Sequence, residues 1–213
     1  LMFSATFSNE IRDLAKKLVR SPVEISVTSG TGAATSVKHW ICPVEKKRKA
    51  PLLVHLIHDR GWQQVLVFAK TKHGANKLTK FLEAEGVTAA AIHGNKSQAA
   101  RNRALADFKA GELRILVATD IAARGLDIAQ LPQVVNFDLP NVPQDYIHRI
   151  GRTGRGGFSG EAISLVSADE VDLLSDIERL MKQLLTRVEI DGFEPEQRVP
   201  ETTLARKTKS AKP

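Results

Sequence analysis

The stretch DYIHRIGRTGRG, residues 145–156, places an arginine at every third position, Arg149, Arg152 and Arg155, against one acid, Asp145. His148, Arg152 and Arg155 stand at i, i+4 and i+7, so a helix carried through the stretch puts them on one face. Gly151 and Gly154 thin the backbone there and let a partner approach closely. Two guanidiniums on one face suit a phosphoryl group whose charge develops during transfer. The competing reading, a solvated basic face, gives no reason for two glycines in a helix. Arg149 points away from that face, and an ion pair to Asp145 at i−4 accounts for it.

Two further polar stretches follow apolar runs. HGNKSQAAR (93–101) offers Gly94 and then a helix N-terminus, which attracts anions, with Gln98 and Arg101 in its first turn. Its plainer reading is a helix capped by Ser97 with Arg101 in solvent. ATDIAARGLD (118–127) places Thr119 and Asp120 at a strand end, then Arg124, Gly125 and Asp127. Asp127 can accept hydrogen bonds from a sugar hydroxyl, and a plain turn held by Asp120 and Gly125 is the alternative. DEVD (169–172) resembles a magnesium-binding acidic box, but Ser167 and Glu170 fit a capping box, so no metal site is assigned. No G-x-x-x-x-G-K-[ST] phosphate loop occurs in the chain.

These residues need elements to hold them. SNEIRDLAKKLVRSP reads as a helix with Ser8 as N-cap and Pro22 past its end, and VEISV as a strand. Residues 28–36, TSGTGAATS, read as a flexible linker. Beyond it, strands KHWICPV, QQVLVFA, VTAAAIHG, LRILVAT, QVVNFDLP and GEAISLVS alternate with helices over KKRKAPLLVHLIHDR, TKHGANKLTKFLEAEG and SQAARNRALADFKAG, a helix begun by VPQDYIHRI, and one over 169–185. That alternation predicts an α/β fold, a mostly parallel sheet with helices on both faces. Ligands of such sheets bind at the carboxyl ends of the strands, where the polar stretches fall. Residues 193–213 lose the periodicity and read as a basic, extended or disordered tail.

The chain has 213 residues, a formal net charge of +7 and a pI near 9.6. A basic balance suits an anionic partner, most often nucleic acid, although a solvated lysine-rich surface accounts for it equally well. Cys42 is the single cysteine, which excludes an internal disulfide and fits a reducing, cytoplasmic setting. No apolar run approaches the roughly 18 residues of a membrane span. LMFSAT, at the start, reads as the end of a buried strand, and the chain is expected to be a fragment of a longer protein.

Taken together, SAT (4–6), LVFAKT, HGNKSQAAR, ATDIAARGLD and HRIGRTGR resemble, in order, motifs III and IV, the HG-x-x-x-Q-x-x-R segment, and motifs V and VI of DEAD-box ATP-dependent RNA helicases. The resemblance runs from Leu1 to about residue 190 and is nearest the bacterial RhlE-type branch, with Asn95 where an aspartate is commoner. It implies a RecA-like three-layer domain. Residues 1–27 would end the first RecA-like domain, 28–36 would be the interdomain linker, 37–192 the C-terminal RecA-like domain, and 193–213 the tail. Arg152 and Arg155 would be arginine fingers on the γ-phosphate, and His148 would couple the nucleotide site to the acidic box of the other domain. Gly125 and Asp127 would contact the ATP ribose region. Gly94, Gln98, Arg101 and Thr119 would hold the RNA sugar-phosphate backbone without reading sequence. Ser4 and Thr6 would link hydrolysis to strand separation.

The implied cofactor is ATP with Mg, the metal held by the N-terminal RecA-like domain. The implied partners are RNA and that domain, with no membrane. The alternative is a non-enzymatic RNA-binding module, supported by the net charge and the basic tail. The coding sequence upstream of Leu1 separates the two. A phosphate loop followed by D-E-A-D is expected there, and a reading frame that opens at Met2 favours the module.

Overall fold

The computed structural model describes residues 9–19, 23, 37–126, 128, 130–154 and 160–205. The chain divides into two units, residues 1–30 and 31–213. In the first, helix α1 spans Asn9–Leu18 and carries Lys16 and Lys17 in its last turn, where the helix dipole favours cations. Ser8, Pro22, the rest of the VEISV segment and the expected linker lie outside the described residues.

In the second unit the strands are β1 (Val37–Pro43), β2 (Val65–Phe68), β3 (Ala89–Ile92), β4 (Ile115–Ala118), β5 (Gln133–Asn136), β6 (Gly160–Val166) and β7 (Thr186–Arg187). They form one sheet in the order β3-β4-β2-β5-β6-β1-β7. Among the described residues every strand pairing is parallel. Parallel neighbours need crossovers, and helices supply them: α2 (Lys49–Asp59), α3 (Lys72–Ala84), α4 (Gln98–Lys109), the four-residue α5 (Asp120–Ala123), α6 (Pro143–Ile150) and α7 (Val171–Met181).

The alternation of side chains along each strand builds two cores. Val65, Val67, Ile115, Val117, Val135 and Ile163 pack with Leu52, Leu56 and Ile57 of α2 and Leu78 and Leu82 of α3. Leu66, Phe68, Leu116, Val134 and Ala162 pack on the other side with Phe108 of α4, Tyr146 and Ile150 of α6, and Leu174 and Ile177 of α7. A strand buried on both faces must be apolar throughout, so VLVF and ILVA read as unbroken apolar runs.

The helix ends follow their sequence signals. Thr71 and Ser97 accept the backbone N–H groups of Gly74 and Ala100 at 2.9 and 3.2 Å. The turns after α3 and α4 close on Gly86 and Gly111, at φ +76° and +78°. Before α7, Ser167 and Glu170 form the expected capping box. Glu170 also takes the ammonium of Lys49, which is 1 % exposed, and accepts Leu139 N–H at 3.2 Å. Asp169 pairs with Lys46 at 2.8 Å, and hydrogen bonds from Lys46 and Ser167 hold its carboxyl down at about 2. The DEVD acids thus join α2, the loop after β5 and the start of α7.

Two features depart from the sequence reading. Strand β7 is only two residues long, too short to show a period, and pairs with Trp40 and Ile41. The packed domain also continues past residue 192. The Arg187 guanidinium donates to the carbonyls of Val199 and Pro200 at 2.7 and 2.8 Å, which buries Val199 beside α7. Phe193 lies under Arg48 at 4.8 Å and beside His55 at 5.2 Å. Residues 193–205 therefore wrap the β7 edge without helix or strand, and residues 206–213 lie outside the described part.

Cys42 in β1 is fully buried, and burial pushes its thiol up to about 12, with Glu189 adding to the rise and Arg60 opposing it. The nucleophile in thiol exchange is the thiolate. Native protein at pH 8 is therefore expected to react with an aromatic disulfide reagent only at its rate of unfolding. Rapid stoichiometric labelling would contradict this packing.

Candidate functional site

The sheet register delivers the polar stretches to one edge. Ile92, Ala118, Phe68, Asn136 and Ser164 form a single paired row across β3, β4, β2, β5 and β6. The chain beyond that row carries Gly94 after β3, Thr119 after β4, Lys70 after β2 and Asp138 after β5. Lys70 N–H donates to Asp138 Oδ2 at 2.8 Å, closing the gap between the β2 and β5 loops.

Arg149 is the centre of this edge. It is 2 % exposed and its guanidinium forks onto Asp120, Nε to Oδ1 at 2.6 Å and Nη2 to Oδ2 at 2.8 Å. Its Nη1 donates to Asn136 Oδ1 and to the Asp138 carbonyl at 3.1 and 2.7 Å, and it stacks over Phe68 at 4.8 Å. Arginine's planar fork suits such a bidentate, stacked position, where a lysine would satisfy one contact. The expected ion pair to Asp145 is therefore replaced. Sheet order brings Asp120 nearer than the neighbour one helical turn away. Asp145 instead binds Arg124 Nη2 at 2.7 Å and stands 3.6 Å from His148 Nδ1.

The helix expected to carry His148, Arg152 and Arg155 on one face ends at Ile150. Gly151 caps it, and Gly154, at φ +66°, turns the chain away. Arg152 lies in that turn, with Nη1 donating to the Leu126 and Ile128 carbonyls at 3.1 and 3.5 Å. Its own carbonyl accepts Leu131 N–H at 3.1 Å, and Thr153 Oγ1 donates to the Leu131 carbonyl. A side chain at Gly160 would collide with Thr153 and the Gly154 backbone, so the turn can lie against β6 only over a glycine.

Three arginines thus stitch residues 120–131 to residues 145–153: Arg149 to Asp120, Arg124 to Asp145, and Arg152 to the Leu126 and Ile128 carbonyls. His148 and Arg152 remain on one depression, with Asp120, Arg124, Asp145 and Arg149. Gly125 turns beside it at φ +76°. Asp127 and Arg155, and likewise Ser4 and Thr6, lie outside the described residues.

A second corner forms where β3 and β4 end. Gly94 is exposed in the loop after β3, and Gln98 opens α4, its Oε1 taking Arg101 Nη1 at 3.2 Å. Half-buried Thr119 directly follows β4, its N–H reaching the Ile92 carbonyl at 3.3 Å. The chain passes from Thr119 directly to Asp120, so the two corners share one segment. Sequence reasoning missed His93, the buried residue beneath this corner. A histidine at the end of an apolar strand and before a glycine was the available signal.

A seven-stranded parallel sheet covered by helices on both faces, with its polar residues gathered at one set of strand ends, is a RecA-like α/β domain. The chain belongs to the helicase conserved C-terminal domain family, whose pattern it matches over residues 48–157. It is 41% identical over 178 residues to "ATP-dependent RNA helicase RhlB" of Pseudomonas syringae pv. tomato, covering 84% of this chain and 45% of that protein. It is 37% identical over 203 residues to "DEAD-box ATP-dependent RNA helicase CshA" of Geobacillus kaustophilus, covering 93% and 44%. The chain thus spans less than half the length of these curated relatives.

Among solved structures it resembles Saccharomyces cerevisiae Dbp5 bound to RNA and ADP BeF3, with a TM-score of 0.77 and 34% identity over 89% of this chain and 51% of that one. It also resembles Escherichia coli SrmB bound to regulator of ribonuclease activity A, with a TM-score of 0.73 and 35% identity over 78% and 98%. The DEAD-box family and the RecA-like fold are those expected from the motifs. The relatives carry CshA and RhlB names and do not single out the RhlE-type branch.

Replacing Arg149 with alanine leaves Asp120 and the Asp138 carbonyl without their cation. Breaking a buried pair from one side costs about 3 kcal/mol or more. Urea unfolding of Arg149→Ala is expected to show that loss, and Arg149→Lys is expected to recover only part of it. A loss within experimental error would remove Arg149 from the centre of the edge.

Proposed function

We propose that the chain is the C-terminal half of an ATP-dependent DEAD-box RNA helicase working in the cytoplasm. In this reading Arg152 and Arg155 reach as arginine fingers toward the γ-phosphate of an ATP bound mainly by the N-terminal RecA-like domain, which also holds the Mg. His148 couples that nucleotide to the acidic box of the other domain. Gly125 and Asp127 contact the ribose region. Gly94, Gln98, Arg101 and Thr119 hold one RNA strand by its backbone, so that domain closure opens a short duplex locally. Ser4 and Thr6 pass the state of the nucleotide to the RNA.

The observation that carries the reading is the joining of the two corners through one short segment. Thr119, assigned to RNA, is followed by Asp120, which Arg149 clamps, and by Gly125 and Leu126 beside Arg152. RNA and nucleotide contacts so joined cannot move independently, as coupling between binding and hydrolysis requires. An RNA-binding module without enzymatic activity gives no reason for the arginine-lined depression, and the relatives above are named as helicases.

In the full-length protein, Arg152→Ala is expected to lower RNA-stimulated ATP hydrolysis by about 10³-fold, the lower range for an arginine finger, while RNA affinity stays within a few-fold. Equal loss of both would contradict the finger role. The 213-residue chain alone is expected to release no phosphate from ATP above background, with or without RNA. Robust RNA-stimulated turnover by it would overturn the assignment of half a site.

A further inference from the structure

We infer that His93 is a positioning residue for the RNA-contacting loop: seated on Asn76, it holds the Asn95 backbone and so sets where Gly94, Gln98 and Arg101 stand. This rests on the proposed reading of that loop as an RNA contact. His93 directly follows β3 and is 2 % exposed. Its Nδ1 accepts Asn95 N–H at 3.3 Å, and its Nε2 lies 2.9 Å from Asn76 Oδ1. A backbone N–H can only donate, so Nδ1 carries the lone pair and Nε2 the proton, which is given to Asn76. One neutral tautomer therefore satisfies both contacts.

The rest of the loop is tied to the same supports. Lys96 N–H donates to the His93 carbonyl at 3.0 Å, and Lys72 Nζ donates to Asn95 Oδ1 at 2.7 Å. Ser97 then caps α4, which carries Gln98 and Arg101. Asn76 and Lys72 both belong to α3, so the loop borrows its geometry from a 13-residue helix packed on the core.

A second proton on His93 would set its Nδ1–H against Asn95 N–H, two donors facing each other. Burial opposes that proton, as do the nearby cations Lys96 of the loop and Lys72 and His73 of α3, and together they lower the histidine below its ordinary 6.5. A histidine held neutral in this way contributes fully above its ordinary value, and the contribution is lost as pH falls below it.

The test uses the 213-residue chain with a fluorescent single-stranded homopolymer RNA at low, constant ionic strength, together with amide exchange at Asn95. His93→Asn keeps an oxygen where Nδ1 stood. His93→Gln keeps a donor where Nε2 stood but offers the Asn95 N–H nothing. His93→Gln and His93→Ala are expected to speed Asn95 exchange and weaken RNA binding about tenfold, the order of one buried hydrogen bond. His93→Asn is expected to remain near wild type. Wild-type affinity is expected to fall as pH drops through the lowered range of this histidine, below its ordinary 6.5, opposite to the gain that extra positive charge alone would give, and His93→Asn is expected to lose that fall.

Equal binding by His93→Asn and His93→Gln, or unchanged Asn95 exchange in His93→Ala, would overturn the inference. So would full RNA affinity in His93→Ala where Arg101→Ala weakens it. If wild type binds no RNA, or neither His93→Ala nor Arg101→Ala alters binding, the RNA reading of the loop itself fails.

Discussion

The fork of Arg149 onto Asp120 is the interaction on which the functional edge depends. It places a full charge where the side chain is 2 % exposed, offset by four hydrogen bonds and a stacking contact on Phe68. Those partners come from four places in the chain: Phe68 from β2, Asp120 from α5, Asn136 from the end of β5, and the Asp138 carbonyl beyond it. Asn136 in turn donates to Ser164 of β6 at 3.0 Å. The strand ends are thereby held at fixed spacing where apolar packing stops, and the more exposed His148, Arg152 and Arg124 are aimed from a rigid base.

Much of this was legible in the sequence, for identifiable reasons. Strands VLVF and ILVA could be read because a central parallel strand is buried on both faces and must be apolar throughout. Ser97 and the Ser167–Glu170 box could be read because a cap is a local event, decided within four residues. The partner of Arg149 could not. Asp120 lies 29 residues away, and the sheet order that brings the two together is not a local property. The helical spacing of His148 and Arg152 failed for the opposite reason, although the two still line one depression. The spacing assumed a continuous helix, and the glycines read as thinning that helix belong instead to its cap and to the turn after it.

Strand β7 and the wrapped segment beyond it illustrate a third limit. Neither has a hydrophobic period, and residues 193–205 are fixed by one guanidinium reading backbone carbonyls and by a cation over an aromatic ring. Such contacts depend on where the fold brings distant residues together, which no local pattern displays. His93 belongs to the same class. Its type was visible, but its burial and its two partners appear only once α3 is laid against the β3 loop.

In the proposed function, this edge is half of a nucleotide site, with Arg152 turned toward a phosphate bound by another domain. The most direct measurement is a crystal structure of the full-length protein with RNA and ADP–beryllium fluoride. The expected result places the Arg152 guanidinium about 3 Å from the fluoride group, a hydrogen-bond distance, with the Arg149–Asp120 fork unchanged. An Arg152 still held on the Leu126 and Ile128 carbonyls in a closed, nucleotide-bound complex would contradict it.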